Sequence, residues 1–558
     1  MADVCDVLLR LVAEAGVQHI FGVPGDSINA LTDAIRRQDA VRFIHVNHEE
    51  SGGFAAVGQA KLTGKLGVCC GTSGPGAIHL LNALYDAKLD HAPILAITGQ
   101  VETKMIGSDY QQEIDLHALF EDVAIYNQVV TSPEHFTYVA VQAIQAALER
   151  RGVAHINIPL DMATQTVPGH EKWHVRLPDQ MVAPVQDRDI DRVVDILNGA
   201  HKPVILAGIG CTGAEDRVLA LAEKLKAPVI HALRAKDLFP EAHPLSIGGI
   251  GNLGITPSVH AMDHADVLLM LGTAFPYSEY LPKKAKVVQV DRDARQVGKR
   301  IPVDCGIVGD TGAVLDRLIP AVTARPARRF LEEVQQRKAE WRKEMAATVT
   351  RTSAPIHPAR LAHLVGEAAD EDAVFCCDTG EVTGWVARYL DMRPGQKFTV
   401  SGLLATMAFS QGAAIGAKLA MPERQTIVLT GDGGFSMLMT DFSTAVKYKL
   451  PMLIVVFNNK KLGLIQLEQE VKGFPNYETD LHNPDFAAYA RLCGGDGLRV
   501  EDPLDLPEAI RRGLTSSVPF VLDVLTDPDA VLIPPKVTAA QAAHFAAAKA
   551  KEMAGQGK

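Results

Sequence analysis

A chain of 558 residues has room for about three or four domains, each burying its own core. Its composition, 47% hydrophobic and 22% charged with a formal net charge of −11, excludes the broad basic face that a nucleic-acid partner needs. Its 8 cysteines include the pairs Cys69-Cys70 and Cys376-Cys377 but no CxxC or Cys/His spacing, which excludes a zinc ribbon and suits reduced thiols in a cytoplasmic core.

The opening segment "MADVCDVLLRLVAEAGVQHIF" repeats its apolar residues at helical spacing and carries Asp3 and Asp6 where a secretory leader carries cations, so it reads as an amphipathic helix. No apolar run reaches the roughly 18 to 20 residues of a membrane span. Strand-like runs then alternate with helix-like ones along the chain: "LGVCCG", "APILAITG", "PVILAGIG", "VLLMLG", "VVQVD", "AVFCCD", "TIVLTGDG" and "MLIVVFNN". Continuous apolar runs of this length suit strands buried on both faces of parallel sheets, so the fold class is α/β. Two stretches read as linkers. The first, 164–188, holds Pro168, Gly169, Pro178 and Pro184; the second, 322–357, holds the charge-rich "RRFLEEVQQRKAEWRKEM".

The first and last thirds share a pattern of strand, glycine turn, helix, proline and strand: "GVCCGTSGPGAIHLLNALYDAKLDHAPILAITG" and "TIVLTGDGGFSMLMTDFSTAVKYKLPMLIVVFNN". Two βαβ units of one design at opposite ends of the chain predict a duplicated fold. In the second unit both strands must end on one sheet edge, which brings Asp432 and Asn459 together. Gly431, Gly433 and Gly434 allow close backbone approach, and a helix beginning near Phe435 and Ser436 would aim free N–H groups at the same place. A carboxylate and an amide oxygen are hard ligands suited to Mg2+ shared with phosphates. The unit is expected to hold a metal diphosphate. In the middle third, "VILAGIG" ends a strand in Gly208 and Gly210, "GIGNLG" makes a second glycine turn, and "VVQVDRD" ends a strand in Asp291, which could reach a ribose hydroxyl. As bare motifs these glycine turns leave open a middle domain that is empty or that holds an adenine nucleotide.

The paired "GDGG" and "NN" ends resemble those of the thiamine diphosphate (ThDP) enzymes, and the likeness runs through "FGVPGDSINAL", "GKLGVCCGTSGPG", "LGTAFPYSEY", "MPERQTIVLTGDGGFSMLM" and "LIPPKV". Within that superfamily the chain is most similar to the bacterial pyruvate oxidases. The resemblance implies three doubly wound parallel-sheet domains: a pyrimidine-binding domain over 1–175, a central FAD domain over 189–325 and a diphosphate-binding domain over 355–530, followed by a tail, 531–558. It implies that Glu49 in "HVNHEESGG" activates the aminopyrimidine, with Glu50 as its bystander and His79 lining the cofactor. Ala405, Thr406 and Met407 would contact ThDP, Met407 as the bulky wedge, beside Asp432, Gly433, Gly434 and Asn459. Lys461 would join Asp432 and Asn459 at the Mg2+. FAD would meet Gly208, Gly210, Arg234, Gly251, Asn252, Leu253, Thr273, Ala274, Phe275, Pro276, Tyr277, Asp291 and Asp310.

Two departures stand out. Gln111 in "YQQE" and Leu464 in "NNKKLGLIQLEQE" occupy positions where pyruvate oxidases typically carry aromatics, the second lying between ThDP and flavin, whereas Glu468 matches a family active-site glutamate. The implied activity is oxidative decarboxylation of pyruvate or a similar small 2-oxo acid, with a quinone or O2 as electron acceptor; an acetolactate synthase-type carboligase with structural FAD is the alternative. The implied assembly is a homodimer or homotetramer with its active site between subunits. The tail, mostly alanine with Thr538 and Gln541 at capping-box spacing, is expected to bind membranes weakly or not at all.

Overall fold

Eighteen strands form three six-stranded sheets in which every pairing is parallel, in a computed structural model describing residues 2–176, 185–326 and 328–553. Pro178 and Pro184 of the expected first linker and the last five residues of the tail lie outside the described residues. The first sheet comprises β1 (His19–Gly22), β2 (Arg42–His45), β3 (Gly67–Gly71), β4 (Ile94–Gln100), β5 (Ala124–Val129) and β6 (Val153–Pro159). The second comprises β7 (Pro203–Ala207), β8 (Val229–His231), β9 (Ser246–Gly249), β10 (Val267–Leu271), β11 (Lys286–Asp291) and β12 (Cys305–Val308). The third comprises β13 (Val374–Cys377), β14 (Lys397–Val400), β15 (Thr426–Gly431), β16 (Leu453–Asn458), β17 (Asp496–Val500) and β18 (Phe520–Leu525). Central strands such as β3, β4, β7, β10 and β16 are buried along their whole length, which explains why they read as unbroken apolar runs rather than alternating ones.

The outer two sheets have the same order. The first runs β2-β1-β3-β4-β6-β5 and the third β14-β13-β15-β16-β18-β17, so the two βαβ units matched in the sequence are the third and fourth strands of one repeated topology. The middle sheet differs: from one edge it runs β9-β8-β7-β10-β11-β12, the order of dinucleotide-binding folds, with its switch point between β7 and β10.

The first and third domains are joined by two helices, Glu49–Thr63 and Phe409–Ala420, that cross backbone to backbone through small residues, with Phe54 meeting Phe409 edge-on at 5.6 Å. A Cβ on Gly58 would lie 2.5 Å from the Ala413 Cα, and one on Gly416 would lie 2.0 Å from the Ala55 carbonyl oxygen. Gly416→Ala therefore sets two effects against each other. The helix gains roughly 0.5–1 kcal/mol from losing a glycine, but a carbonyl of a packed helix cannot yield, and overpacking costs roughly 1–3 kcal/mol or more. We expect a net loss of stability, seen as a lower Tm in the cofactor-free protein; an unchanged or higher Tm would contradict this packing.

The charge-rich stretch read as a linker is a helix, Arg329–Val349, tied to the middle domain by buried Phe330, Leu331 and Val334 and by the Lys338 ammonium, which donates to the Glu241 (2.8 Å) and Ser246 (2.5 Å) carbonyls. Arg342 then pairs with Asp391 at 2.8 Å, making the segment a strut to the third domain. The tail also folds: Thr538 and Gln541 cap the Ala539–Met553 helix, which lies against the Gly463–Glu470 helix with Lys549 2.6 Å from Glu470 and Lys551 donating to the Gly473 carbonyl at 3.0 Å. Two of its basic side chains are thus engaged with the third domain. Among the described residues no helix is long and apolar enough to cross a membrane. All 8 cysteines are free thiols, seven of them buried.

Candidate active site

Strands β13, β15 and β16 end on one edge of the third sheet, and each delivers a polar residue just beyond its last apolar one: Asp378, Asp432 and Asn459. Asp378 Oδ2 accepts from the Ala408 N–H and the Thr430 hydroxyl, both at 3.0 Å, while its Oδ1 is buried with no partner. Asp432 Oδ2 accepts from the Lys460 N–H at 2.8 Å and the Asn483 amide at 2.6 Å; its Oδ1 accepts from the Gly433 N–H at 3.1 Å. Asn459 donates to Glu381 Oε2 at 3.1 Å and accepts from the Lys461 N–H at 3.0 Å. The Lys461 ammonium turns away to Asp529, 3.8 Å distant, so that the main chain of Lys461 is what borders the site. The helix begins at Asp432 rather than near Phe435, and Gly433 and Gly434 lie inside its first turn. A Cβ on Gly434 would sit 2.0 Å from Asp378 Oδ2, so the last glycine of "GDGG" makes room for a second carboxylate.

Burial pushes the Asp378 and Asp432 carboxyls up to about 6, and burial together with the nearby Asp432 charge pushes Glu381 up to about 7. None of the three forms an ion pair among the described residues. Crowded, buried oxygen donors at one sheet edge, one with an unpartnered oxygen, fit a hard divalent cation such as Mg2+ shared with a diphosphate. The connection 401–408 closes the site from above. It holds Ala405 and Ala408 at φ +57° and +67°, and the Met407 methyl would touch a Cβ on Gly433 at 3.1 Å. Thr406 is fixed at both ends, its N–H donating to Ser401 Oγ and its hydroxyl accepting from the Asn82 amide of the first domain, each at 3.0 Å.

In the first domain Glu49 is the first residue of its helix, 7% exposed, and Oε2 lies 2.9 Å from His79 Nδ1. His48 caps that helix and stacks on His79 with ring centroids 4.4 Å apart. Glu50 turns the other way, accepting from Asn82 at 2.6 Å. Adjacent acids thus divide the work: Glu50 serves the seam with the third domain and Glu49 lies beside a histidine. Among the described residues no hydrogen bond or ion pair joins Glu49 or His79 to Asp432 or Asn459 of the same chain. Gln111 is exposed on a loop hung beside the His79 turn, where Ser73 donates to the Gln112 carbonyl at 2.8 Å.

In the middle domain the loops after β7 and β10 touch backbone to backbone: a Cβ on Gly208 would lie 2.4 Å from the Gly272 oxygen, and one on Gly210 2.6 Å from the Gly272 Cα. Thr273, Ala274, Phe275, Pro276 and Tyr277 follow this contact, and Gly251, at φ +98°, packs under Phe275 and Tyr277. Asn252 accepts from the Tyr280 hydroxyl at 2.8 Å, and the Asn252 and Leu253 carbonyls accept from Arg388 of the third domain. Asp291 ends β11 with its carboxyl raised by burial, and Asp310 caps the Thr311–Ala321 helix. A tight switch point with an acid at a neighbouring strand end fits a dinucleotide. Arg234 stands at the seam of all three domains, 3.4 Å from Asp90. The Gly463–Glu470 helix, carrying half-buried Leu464 and exposed Glu468, starts just after Asn459; burial, Glu279 and, last, Glu468 raise the Tyr277 hydroxyl.

The sequence pointed to Asp432, Asn459 and Glu49 but missed Asp378, Glu381 and Asn483. The signal for the first two was present in "CCDTGE", an acid and a glycine directly after an apolar strand, as in "TGDGG".

Family models of thiamine pyrophosphate (thiamine diphosphate) enzymes match the chain in three pieces: the N-terminal TPP-binding domain over residues 2–119, the central domain over 190–318 and the C-terminal TPP-binding domain over 378–524. YdaP of Bacillus subtilis, whose name describes a thiamine pyrophosphate-containing protein, is 41% identical over 539 residues, spanning 96% of this chain and 94% of YdaP. A pyruvate oxidase of Lactiplantibacillus plantarum is 32% identical over 533 residues, 94% of this chain and 88% of that enzyme. The large subunit of acetolactate synthase isozyme 1 of Escherichia coli is 32% identical over 473 residues, 84% of this chain and 83% of that subunit. With the three sheets, the acid-lined edge of the third and matches in all three domains, the chain belongs to the thiamine diphosphate enzyme family.

Proposed function

We propose that this protein uses ThDP, Mg2+ and FAD to decarboxylate pyruvate or a similar small 2-oxo acid oxidatively, giving CO2 and acetate or acetyl phosphate, with a quinone or O2 as final acceptor. The observation that carries the proposal is the presence in one chain of an acid-lined sheet edge in the third domain and a tight dinucleotide-type switch point in the middle domain. Bound ThDP would supply the carbon nucleophile for the keto group, and bound FAD the acceptor for one electron pair. Asp432, Asn459 and the Lys461 main chain would hold Mg2+ and through it the diphosphate. Glu49, oriented by His79, would hold a proton at a ring nitrogen of the aminopyrimidine, in a pocket dry enough for one carboxyl to act as acid and base. Gln111 and Glu468 would border the substrate, whose C1 leaves as CO2 while water or phosphate captures the oxidised two-carbon unit.

Glu49 and Asp432 act together across subunits in this proposal, which makes the working unit a homodimer or homotetramer. Cytoplasmic location with weak or absent membrane contact is consistent with a tail helix whose lysines are engaged with the third domain.

A second reading, a carboligase of the acetolactate synthase type with a non-redox flavin, is favoured by Leu464, which puts an aliphatic side chain on the helix between the two cofactor regions. Anaerobic pyruvate separates the two. An oxidase bleaches the flavin absorbance near 450 nm (approximately, for oxidised flavin) and an added acceptor restores it; a carboligase leaves it yellow and accumulates acetolactate. In the oxidase, Leu464→Phe should speed bleaching with little change in CO2 release, because it touches neither Glu49 nor the metal site. Flavin that stays oxidised through many turnovers would favour the carboligase.

A further inference from the structure

Lys61 lies on the Glu49–Thr63 helix with its side chain 5% exposed. Its ammonium is 2.5 Å from Asp86 Oδ2 and 2.7 Å from Asp90 Oδ2, both carboxylates fully enclosed; it also donates to the Val400 carbonyl at 3.1 Å and sits 4.4 Å above the Phe409 ring. Asp90 has further partners: Oδ2 accepts from the Gly402 N–H at 2.9 Å, and Oδ1 accepts from the Leu403 N–H at 3.2 Å and lies 3.4 Å from Arg234. The Arg234 stem packs on Gly402, where a Cβ would fall 2.3 Å from its Cδ. Two acids and two bases, drawn from the first and middle domains, thus converge on main-chain atoms of the third at Val400, Gly402 and Leu403.

Burial would raise the Asp90 carboxyl, and the charges of Arg234 and Lys61 outweigh it and hold it below the usual carboxylate range. Well-packed apolar residues often stabilise a core at least as well as a buried charge group, so such a group is better explained by what it positions than by stability. Gly402 and Leu403 belong to the 401–408 connection, which carries two alanines in the left-handed region, a conformation that persists only where the surroundings over-determine it. Its far end is fixed by Asp378 through the Ala408 N–H and its middle by Ser401 and Asn82 through Thr406. The near end is held by Asp90 and Lys61.

We propose that Lys61, Asp86, Asp90 and Arg234 form a three-domain clamp that positions the 401–408 connection, keeping Met407 over Gly433 so that the ThDP seat is shaped before the cofactor arrives. The clamp rests on the family assignment but acts within one chain, independently of substrate and electron acceptor. These are positioning residues: none needs to touch ThDP.

The test is titration of the cofactor-free, full-length protein with ThDP at fixed Mg2+, followed by tryptophan fluorescence, alongside thermal unfolding without cofactor. The double variant Lys61→Met/Asp86→Leu removes one charge of each sign and leaves Asp90 with Arg234. We expect it to unfold near the wild-type temperature yet bind ThDP about 10- to 100-fold more weakly, the range seen when groups that orient ligands are removed. Lys61→Arg should recover most of the affinity, and KM for pyruvate at saturating ThDP should stay unchanged in the Lys61 and Asp86 variants. A folded double variant with wild-type ThDP affinity overturns the clamp. If the double variant does not fold, the isosteric Asp90→Asn, which neutralises the acceptor of the Gly402 and Leu403 N–H groups, decides: weaker ThDP binding supports the clamp and unchanged binding overturns it. Unsubstituted protein that binds no ThDP would overturn the cofactor assignment and the clamp with it.

Discussion

Glu49→Gln will leave the protein folded while lowering turnover by about 10²- to 10⁴-fold, the usual contribution of a positioned acid–base group. The amide matches the carboxylate in size, and Gln can still pair with His79 across the 2.9 Å contact, so the buried start of the helix keeps its packing. What is lost is the ability to exchange a proton at Oε1 or Oε2. Circular dichroism, Tm and ThDP titration should therefore stay close to wild type while CO2 release from pyruvate collapses. Activity near the wild-type level would remove Glu49 from the chemistry and leave it as a helix-start carboxylate.

Asp432→Asn should act on binding instead. The carboxylate is one of three crowded on the sheet edge, and it is the one fixed by three donors: two main-chain N–H groups and Asn483. Neutralising it removes a carboxylate that would bind the cation directly, so Mg2+ and ThDP affinities should fall together by about 100-fold or more, beyond the range typical of groups that merely orient a ligand. The decisive comparison is ThDP titration with and without Mg2+: wild type should gain strongly from the metal and the variant little. A variant with wild-type, Mg2+-dependent affinity would show that the metal lies elsewhere. Mixing Glu49→Gln chains with Asp432→Asn chains under subunit exchange adds a geometric arm. If one subunit's Glu49 serves the other's Asp432 edge, the mixture regains activity that neither variant has alone, because one site of each mixed pair is intact.

How much of this could be read from the sequence depended on how local each signal is. The repeated βαβ units were legible because each is contiguous, and the sheets bear them out as equivalent strand pairs. The acid and the asparagine at the ends of β15 and β16 were legible for the same reason. Of the adjacent Asn458 and Asn459, the sequence pointed to the second as the site residue. In the structure Asn458 still belongs to β16 and bonds to Asp523 at 2.8 Å, whereas Asn459, beyond the strand end, faces the site. Asp378 and Glu381 carry a local signal in "CCDTGE", but that they join Asp432 depends on β13 lying next to β15, a pairing between segments about 50 residues apart. The second linker was misleading for a physical reason: a helix with only three buried side chains has the composition of a solvated connector. Lys61 gave no signal, because its partners sit on another helix and at the end of strand β14 in a different domain.

The backbone-to-backbone crossing of the Glu49–Thr63 and Phe409–Ala420 helices also sets a timetable for biosynthesis. The first helix leaves the ribosome about 350 residues before the second, a wait of about 20 to 70 s at roughly 5–20 residues per second. Throughout that interval the nascent first domain presents a smooth strip of glycine and alanine with Phe54 at its centre, shaped for a partner not yet made. A chaperone that shields this strip, or a second nascent chain that meets it first, would decide whether the two ends of one polypeptide find each other.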